Sequence, residues 1–303
     1  MCLLAKTKLI LKKNKIALIS RRGQNFLINQ KILNKIIKTS DLKLSDIILE
    51  IGPGLGVLTK ELAKKVKKVI AVEIDKKLVS VLKNELKEFK NVEIIEGNIL
   101  RINVIASDWK ERSNLAKIAN NNKIASSVAL FPSRNDSDFN YKIVANLPYN
   151  IISRVIRNFL ESENSPKEMI LMVQKEVAER IVAPPGRMSI LSVASQFYAN
   201  CRIISIVKKN NFFPVPKVDS AIIKLKIKSE KGKTNKEKFF KIVKAGFSKK
   251  RKKLKNNLSE ALKIDKIKID NTFKKIGLGE NIRAQELSVQ NWKSLVILLN
   301  DYV

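Results

Sequence analysis

Histidine is absent from the 303 residues, so the chain offers no imidazole base, no His-containing triad and no His-ligated metal site. Cysteine is almost absent too. Cys2 and Cys201 are too few and too far apart for a disulfide framework or an all-Cys zinc site, which places the protein in a reducing compartment, the cytoplasm. No apolar run approaches the roughly 20 residues of a membrane span, and no small-residue cleavage site follows a clear apolar stretch at the start. Acids are scarce: the first is Asp41, and 28 Asp and Glu face 60 Lys and Arg, a formal charge of +32.

That excess calls for a polyanionic partner. Most of it is Lys in a background rich in Ile and Asn, a pattern that genome-wide composition also produces, so clustering is more informative than the sum. The densest cluster is Lys249, Lys250, Arg251, Lys252 and Lys253, continuing to Lys255 within a helical pattern. It reads as an RNA-binding face or as a solvated helix face. The acid-free opening, with Lys between apolar residues, reads as a basic amphipathic extension over residues 1–22.

Asn146-Leu147-Pro148-Tyr149, just after the apolar run 141–145, has the form needed to hold an exocyclic amino group of adenine. That nitrogen is a poor nucleophile while its lone pair is conjugated with the ring. A catalyst must accept its N–H protons, here through the Asn146 oxygen and a Leu-Pro carbonyl, and Tyr149 offers a face on which an extruded base can stack. The alternative is an ordinary strand-ending turn with an Asn cap. Support comes from upstream, where a buried strand at 46–51 runs into Gly52-Pro53-Gly54-Leu55-Gly56 and a helix at 57–66, a context that admits a nucleotide-like ligand. A second strand, 68–73, ends in Glu73, placed to accept ribose hydroxyls, and a third, 92–95, leads to Asn98 at a strand's carboxyl edge. The glycine spacing G-x-G-x-G differs from the dinucleotide form. A sulfonium cofactor needs no pyrophosphate cradle, so the spacing favours S-adenosylmethionine over NAD.

With 45% hydrophobic residues the chain can bury one large and one small core. A polar stretch at 227–234 follows the last strand, 220–227. Helical patterns then cover roughly 236–247, 250–262, 267–276 and 284–299. The fold class expected is α/β, a Rossmann-like class I S-adenosylmethionine-dependent methyltransferase sheet over 23–228, with a small all-helical domain over 235–303 that binds RNA. Residues 102–140 form a long polar connection, read as a surface excursion.

In chain order, Gly23-Gln24-Asn25-Phe26-Leu27, Glu50-Ile51-Gly52-Pro53-Gly54, Val72-Glu73-Ile74-Asp75, Asn146-Leu147-Pro148-Tyr149-Asn150-Ile151, Gln174-Lys175-Glu176-Val177-Ala178-Glu179-Arg180 and Phe212-Phe213-Pro214-Val215-Pro216-Lys217-Val218-Asp219-Ser220 closely resemble the bacterial KsgA/RsmA family of small-subunit rRNA adenine dimethyltransferases. The resemblance implies a cofactor site of Asn25, Leu27, Gly52, Glu73, Asn98 and Asn146, with Phe212 facing the target adenine opposite Tyr149. It implies two adjacent adenosines near the 3′ end of small-subunit rRNA as substrate, methylated twice each within the pre-30S particle, by a monomer with no metal and no membrane partner. Asn98 stands where the family usually has Asp, a weaker acceptor for the cofactor's adenine. Residues 183–189 form a loop about two residues shorter than usual and lacking a customary Tyr. The rival readings are a large-subunit rRNA enzyme of the resistance type and a non-catalytic RNA-binding assembly factor.

Overall fold

The computed structural model describes residues 2–16, 24–101, 141–162, 164–228 and 234–302. The connection read at 102–140, Gly23 and most of the polar stretch at 227–234 lie outside the described residues. Contacts divide the chain into two compact units, Met1–Ala178 with Arg202–Ile227, and Glu179–Cys201 with Lys228–Val303.

The first unit opens with α1 (Leu3–Lys13), β1 (Phe26–Leu27) and α2 (Gln30–Thr39). Strand and helix then alternate: β2 (Ile47–Ile51), α3 (Val57–Ala63), β3 (Lys68–Glu73), α4 (Lys76–Glu85), β4 (Val92–Glu96), β5 (Tyr141–Asn146), α5 (Ile152–Glu161) and β6 (Glu168–Gln174). Next come α6 (Lys175–Ile181), α7 (Ile190–Tyr198), β7 (Ala199–Val207), the two-residue β8 (Phe212–Phe213) and β9 (Ser220–Ile227). The strands are Val/Ile-rich, as buried parallel strands must be. Seven of them form one sheet in the order β4-β3-β2-β5-β6-β9-β7. The first five are parallel and β9 runs antiparallel to β6. The winding reverses between β2 and β5, the position at which open α/β sheets bind ligands beyond their carboxyl ends.

Two buried lysines lie toward the opposite end of these strands. Lys142, near the start of β5, is buried, 2.9 Å from Asp46 Oδ2 and donating to the Ser40 and Asp41 carbonyls. Lys224 of β9 lies 3.0 Å from Glu168 Oε2. Desolvated ammonium groups persist only when paired in this way.

The basic start is a packed helix rather than an extension. Ile10 and Leu11 of α1 share a buried cluster with Phe26, Leu55, Leu78 and Val81, so residues 2–16 belong to the sheet unit by apolar contact. A second departure concerns Phe212. The β1–β8 ladder pairs Leu27 with Phe212 and Phe26 with Phe213, which turns the Phe212 ring into the core beside Leu27, Leu33 and Ile222, where it is 1% exposed. The stacking face expected opposite Tyr149 is therefore not there.

The second unit gathers α7, α8 (Lys236–Gly246), α9 (Leu254–Leu262), α10 (Lys266–Lys275) and α11 (Val289–Leu298). Its core holds Phe239, Phe273 and Trp292 together with Met188 and Val193, which draws residues 179–201 out of the sheet unit to which the sequence boundaries gave them. Gly246 lets the α8 backbone meet Trp292, since a Cβ there would lie 2.4 Å from the ring. Lys249 to Lys253 are not helical. The buried Asn257 amide donates to the carbonyls of Gly246 and Lys249 at 2.7 and 3.0 Å, holding the chain in turns until α9 begins at Leu254. The pattern at 284–299 also breaks, at Ser288, whose hydroxyl forms a capping box with Asn291 at the start of α11.

Burial of Phe212 sets an expectation for its removal. Phe212→Ala should lower unfolding stability by about 3–5 kcal/mol, the usual cost of emptying an aromatic site in a core. A denaturant midpoint equal to wild type would contradict this placement.

Candidate active site

Along the carboxyl ends of β2 to β5 lies a cavity of about 410 Å³, within the range of small-molecule sites. Asn25, Leu27, Gly52, Glu73, Asn98, Asn146, Leu147, Pro148 and Tyr149 all line it. Phe212 does not, for the reason given above, and Lys249 to Lys253 belong to the helical unit. Further lining residues had no site role in the sequence reading: Glu50 and Ile74, which lie inside the family-like segments, and Ile99 and Arg154, which lie outside them.

The turn after β2 needs its glycines for space as well as conformation. Gly52 and Gly54 have φ of 67° and 61°. A Cβ on Gly54 would come within 3.0 Å of the Phe26 ring, and one on Gly52 within 3.4 Å of Pro148. A side chain would thus be strained and would also fill the cavity wall.

Glu73 ends β3 with its carboxylate fixed by three backbone donors. Oε1 accepts from the N–H groups of Ile74 and Asp75 at 2.9 and 3.0 Å, and Oε2 from Gly54 at 3.2 Å. Burial still raises its pKa above the ordinary value, the backbone hydrogen bonds working against the shift. Gln24 donates to Asp75 Oδ2 at 3.2 Å, tying the segment before β1 to the cap of α4. Asn98 is less available than its motif implies, because its side-chain oxygen already accepts from the Leu100 N–H at 3.0 Å.

Asn146 ends β5, in register with Met172 of β6. Its amide nitrogen donates to the Asn25 carbonyl at 3.0 Å, which fixes the side chain so that its oxygen is the acceptor left over. In the turn that follows, the Pro148 carbonyl accepts from Ile151 at 3.2 Å, leaving the Leu147 carbonyl as the second acceptor. The Tyr149 hydroxyl lies 2.9 Å from that of Ser220. The final Ser of the Pro216-Lys217-Val218-Asp219-Ser220 run therefore orients the Tyr149 ring, a role the sequence did not reveal. Asp219 accepts from Lys208 Nζ and the Lys209 N–H, both at 3.0 Å, and holds that run in place.

The donor set suits a nucleoside sulfonium. A buried carboxylate at the strand end could accept from ribose hydroxyls, an amide oxygen could accept from an adenine amino group, and a second acid, Glu50, is 1% exposed with Oε2 unpartnered. Burial, reinforced by nearby Glu73 and opposed by the Thr59 hydroxyl, pushes the Glu50 carboxyl up to about 8 from an ordinary 4.5. Near neutrality the free protein thus keeps a proton at the base of the cavity. A cationic ligand would draw that proton off.

The folded state binds the Glu50 proton more tightly than the unfolded chain. Its contribution to stability is accordingly complete below pH 4.5 and is lost as pH rises toward about 8. Glu50→Gln should remove this loss, so the variant gains stability relative to wild type between pH 5 and pH 8. Denaturant midpoints at the two pH values read the difference. A constant offset would show that Glu50 ionises normally.

Residues 18–301 match the family model described as ribosomal RNA adenine dimethylase. Among curated relatives, the ribosomal RNA small subunit methyltransferase A of Dehalococcoides mccartyi is 40% identical over 282 residues, covering 92% of this chain and 87% of that protein. The protein of the same name from Mycoplasmopsis synoviae is 40% identical and covers 93% and 95%. A dimethyladenosine transferase from Plasmodium falciparum superposes with a TM-score of 0.70 at 28% identity, over 91% of this chain and 98% of that one. The 23S rRNA methyltransferase ErmE, 24% identical over 91% and 100% of the two chains, shares the fold with a TM-score of 0.68. Fold, cavity and relatives agree: the chain belongs to the ribosomal RNA adenine dimethylase family, S-adenosylmethionine-dependent methyltransferases of rRNA.

Proposed function

We propose that this chain dimethylates the N6 amino groups of two adjacent adenosines near the 3′ end of small-subunit rRNA, as part of small-subunit maturation. The observation that carries the reading is the Asn146 amide, anchored through its nitrogen on the Asn25 carbonyl and so presenting its oxygen as an acceptor. Asn146 Oδ1 and the Leu147 carbonyl take the two amino protons and favour the amine whose lone pair has left conjugation with the ring. Stabilising charge as it develops is where such groups act. Tyr149, held by Ser220, gives the extruded base its stacking face. Glu73, Gly52 and Asn98 hold S-adenosylmethionine, which supplies an electrophilic methyl carbon on a sulfonium leaving group. The amine's surplus proton passes to water. The first methylation leaves a single N–H for the second to work on, so one of the two acceptors must be dispensable.

Lys250, Arg251 and Lys253 are exposed with no acidic partner among the described residues, while Lys249 and Lys252 share Glu260. This loop fits phosphate contacts with rRNA. The partner is the small-subunit rRNA in the pre-30S particle, engaged in the cytoplasm by a monomer. Methyl transfer from a sulfonium calls for no metal, and no described helix is long and apolar enough to cross a membrane.

The direct test is labelled methyl transfer to unmodified small subunits, followed by mapping of modified nucleosides. Dimethyladenosine at two adjacent positions near the 3′ end is expected. Label confined to large-subunit rRNA would favour the rival substrate, and cofactor binding without transfer to either rRNA would favour the assembly factor.

Asn98 generates a second expectation. Its one side-chain oxygen is already engaged by Leu100, whereas a carboxylate would have a second oxygen for the adenine amino group. Asn98→Asp should tighten cofactor binding by about 1 kcal/mol or less, part of the charge-assisted gain being offset by desolvation. Calorimetry giving equal or weaker affinity would show that this side chain does not face the cofactor.

A further inference from the structure

Arg154 is the basic side chain in the lining of the cavity. It stands on the first turn of α5, just past the turn that presents Tyr149. The side chain is exposed and has no acidic partner among the described residues, whereas Arg157, one turn along, faces Glu161 at 3.8 Å. No ion pair among the described residues ties it to the fold. A cation in the first turn opposes the positive end of the helix's own dipole, and the first turn of α5 has no acid to compensate.

Its place along the sheet edge indicates what it meets. The cavity runs from Asn98 after β4, past Glu73 of β3 and Gly52 after β2, to Asn146 at the end of β5. Carboxylate and amide acceptors suited to a nucleoside cofactor lie toward the β3 and β4 end, and Arg154 lies at the β5 end with Tyr149. A nucleotide whose base rests on Tyr149 brings its sugar and flanking phosphates outward to the rim. A guanidinium fork is the side chain that grips a phosphate through two parallel hydrogen bonds.

We infer that Arg154 binds an RNA backbone phosphate beside the target adenosine and so holds the extruded nucleotide in the cavity. The inference rests on the proposed rRNA substrate and adds a substrate-positioning residue at the rim. A contact of this kind acts on substrate and transition state alike, so its loss raises KM and leaves kcat nearly unchanged.

The test compares wild type with Arg154→Gln and Arg154→Lys in two assays. One is methylation of unmodified small subunits, and the other is equilibrium binding of unmodified small-subunit rRNA across a salt series. Arg154→Gln should raise KM roughly tenfold, the scale of one charge-assisted hydrogen-bonded contact. It should also flatten the slope of log K against log salt by about 0.7 to 0.9. Arg154→Lys keeps the charge without the fork, and should restore the slope but only part of KM. Cofactor affinity should be equal in all three proteins. An unchanged KM and slope in Arg154→Gln would overturn the inference, as would weakened cofactor binding, which would assign the guanidinium to the cofactor's carboxylate. The wild-type methylation arm reports separately on the substrate, and the salt series tests Arg154 even if no methyl group is transferred.

Discussion

The hydrogen bond from the Asn146 amide nitrogen to the Asn25 carbonyl is the contact on which the site depends. An Asn side chain has two faces of similar shape and opposite polarity. Only the anchored nitrogen makes the oxygen the group offered to an amine. The carbonyl that anchors it belongs to a four-residue segment, 24–27, that lines the cavity and is tied to three other parts of the sheet unit. Gln24 donates to Asp75 at the head of α4, Phe26 packs on Gly54, and Leu27 pairs with Phe212. Displacing this segment would loosen the acceptor, the glycine turn and the short β1–β8 ladder together.

Charge is distributed against the overall composition. A chain of net charge +32 places two buried carboxyls, Glu50 and Glu73, at the cavity and gathers its paired buried lysines, Lys142 and Lys224, at the far end of the sheet. Both acids hold their protons more tightly than free carboxyls do. Such a site is poor at attracting anions and well matched to a ligand bearing sulfonium and ammonium groups. The cations proposed to meet RNA are exposed side chains, in the loop at 249–253 and at Arg154.

Much of this was legible in the chain. The strands Lys68–Glu73 and Ser220–Ile227 fall where their apolar runs predict, because β-branched residues bounded by polar turns have few other options. The glycine turn, Glu73 and Asn146 were readable because each sits at the end of such a strand. What escaped was non-local. Phe212 is interior because of a register with Leu27 set across more than half the length of the chain, and residues 179–201 join the helical unit through Met188 and Val193. The basic run at 249–253 has helical composition, yet Asn257 claims the carbonyls that would continue α8. In α1, Ile10 and Leu11 among lysines showed a stripe without its partner. Glu50 read as one more residue of a strand, since nothing in the sequence says that its carboxyl opens into a cavity.

The measurement closest to the central claim is single-turnover methylation by Asn146→Ala, made alongside rRNA binding by the same variant. Loss of the oriented acceptor should lower the rate at least roughly 100-fold, as removal of one transition-state hydrogen-bonding group does elsewhere. Affinity for rRNA should change little, because the bond strengthens mainly as the amino nitrogen leaves conjugation. A rate within a few-fold of wild type would contradict the account.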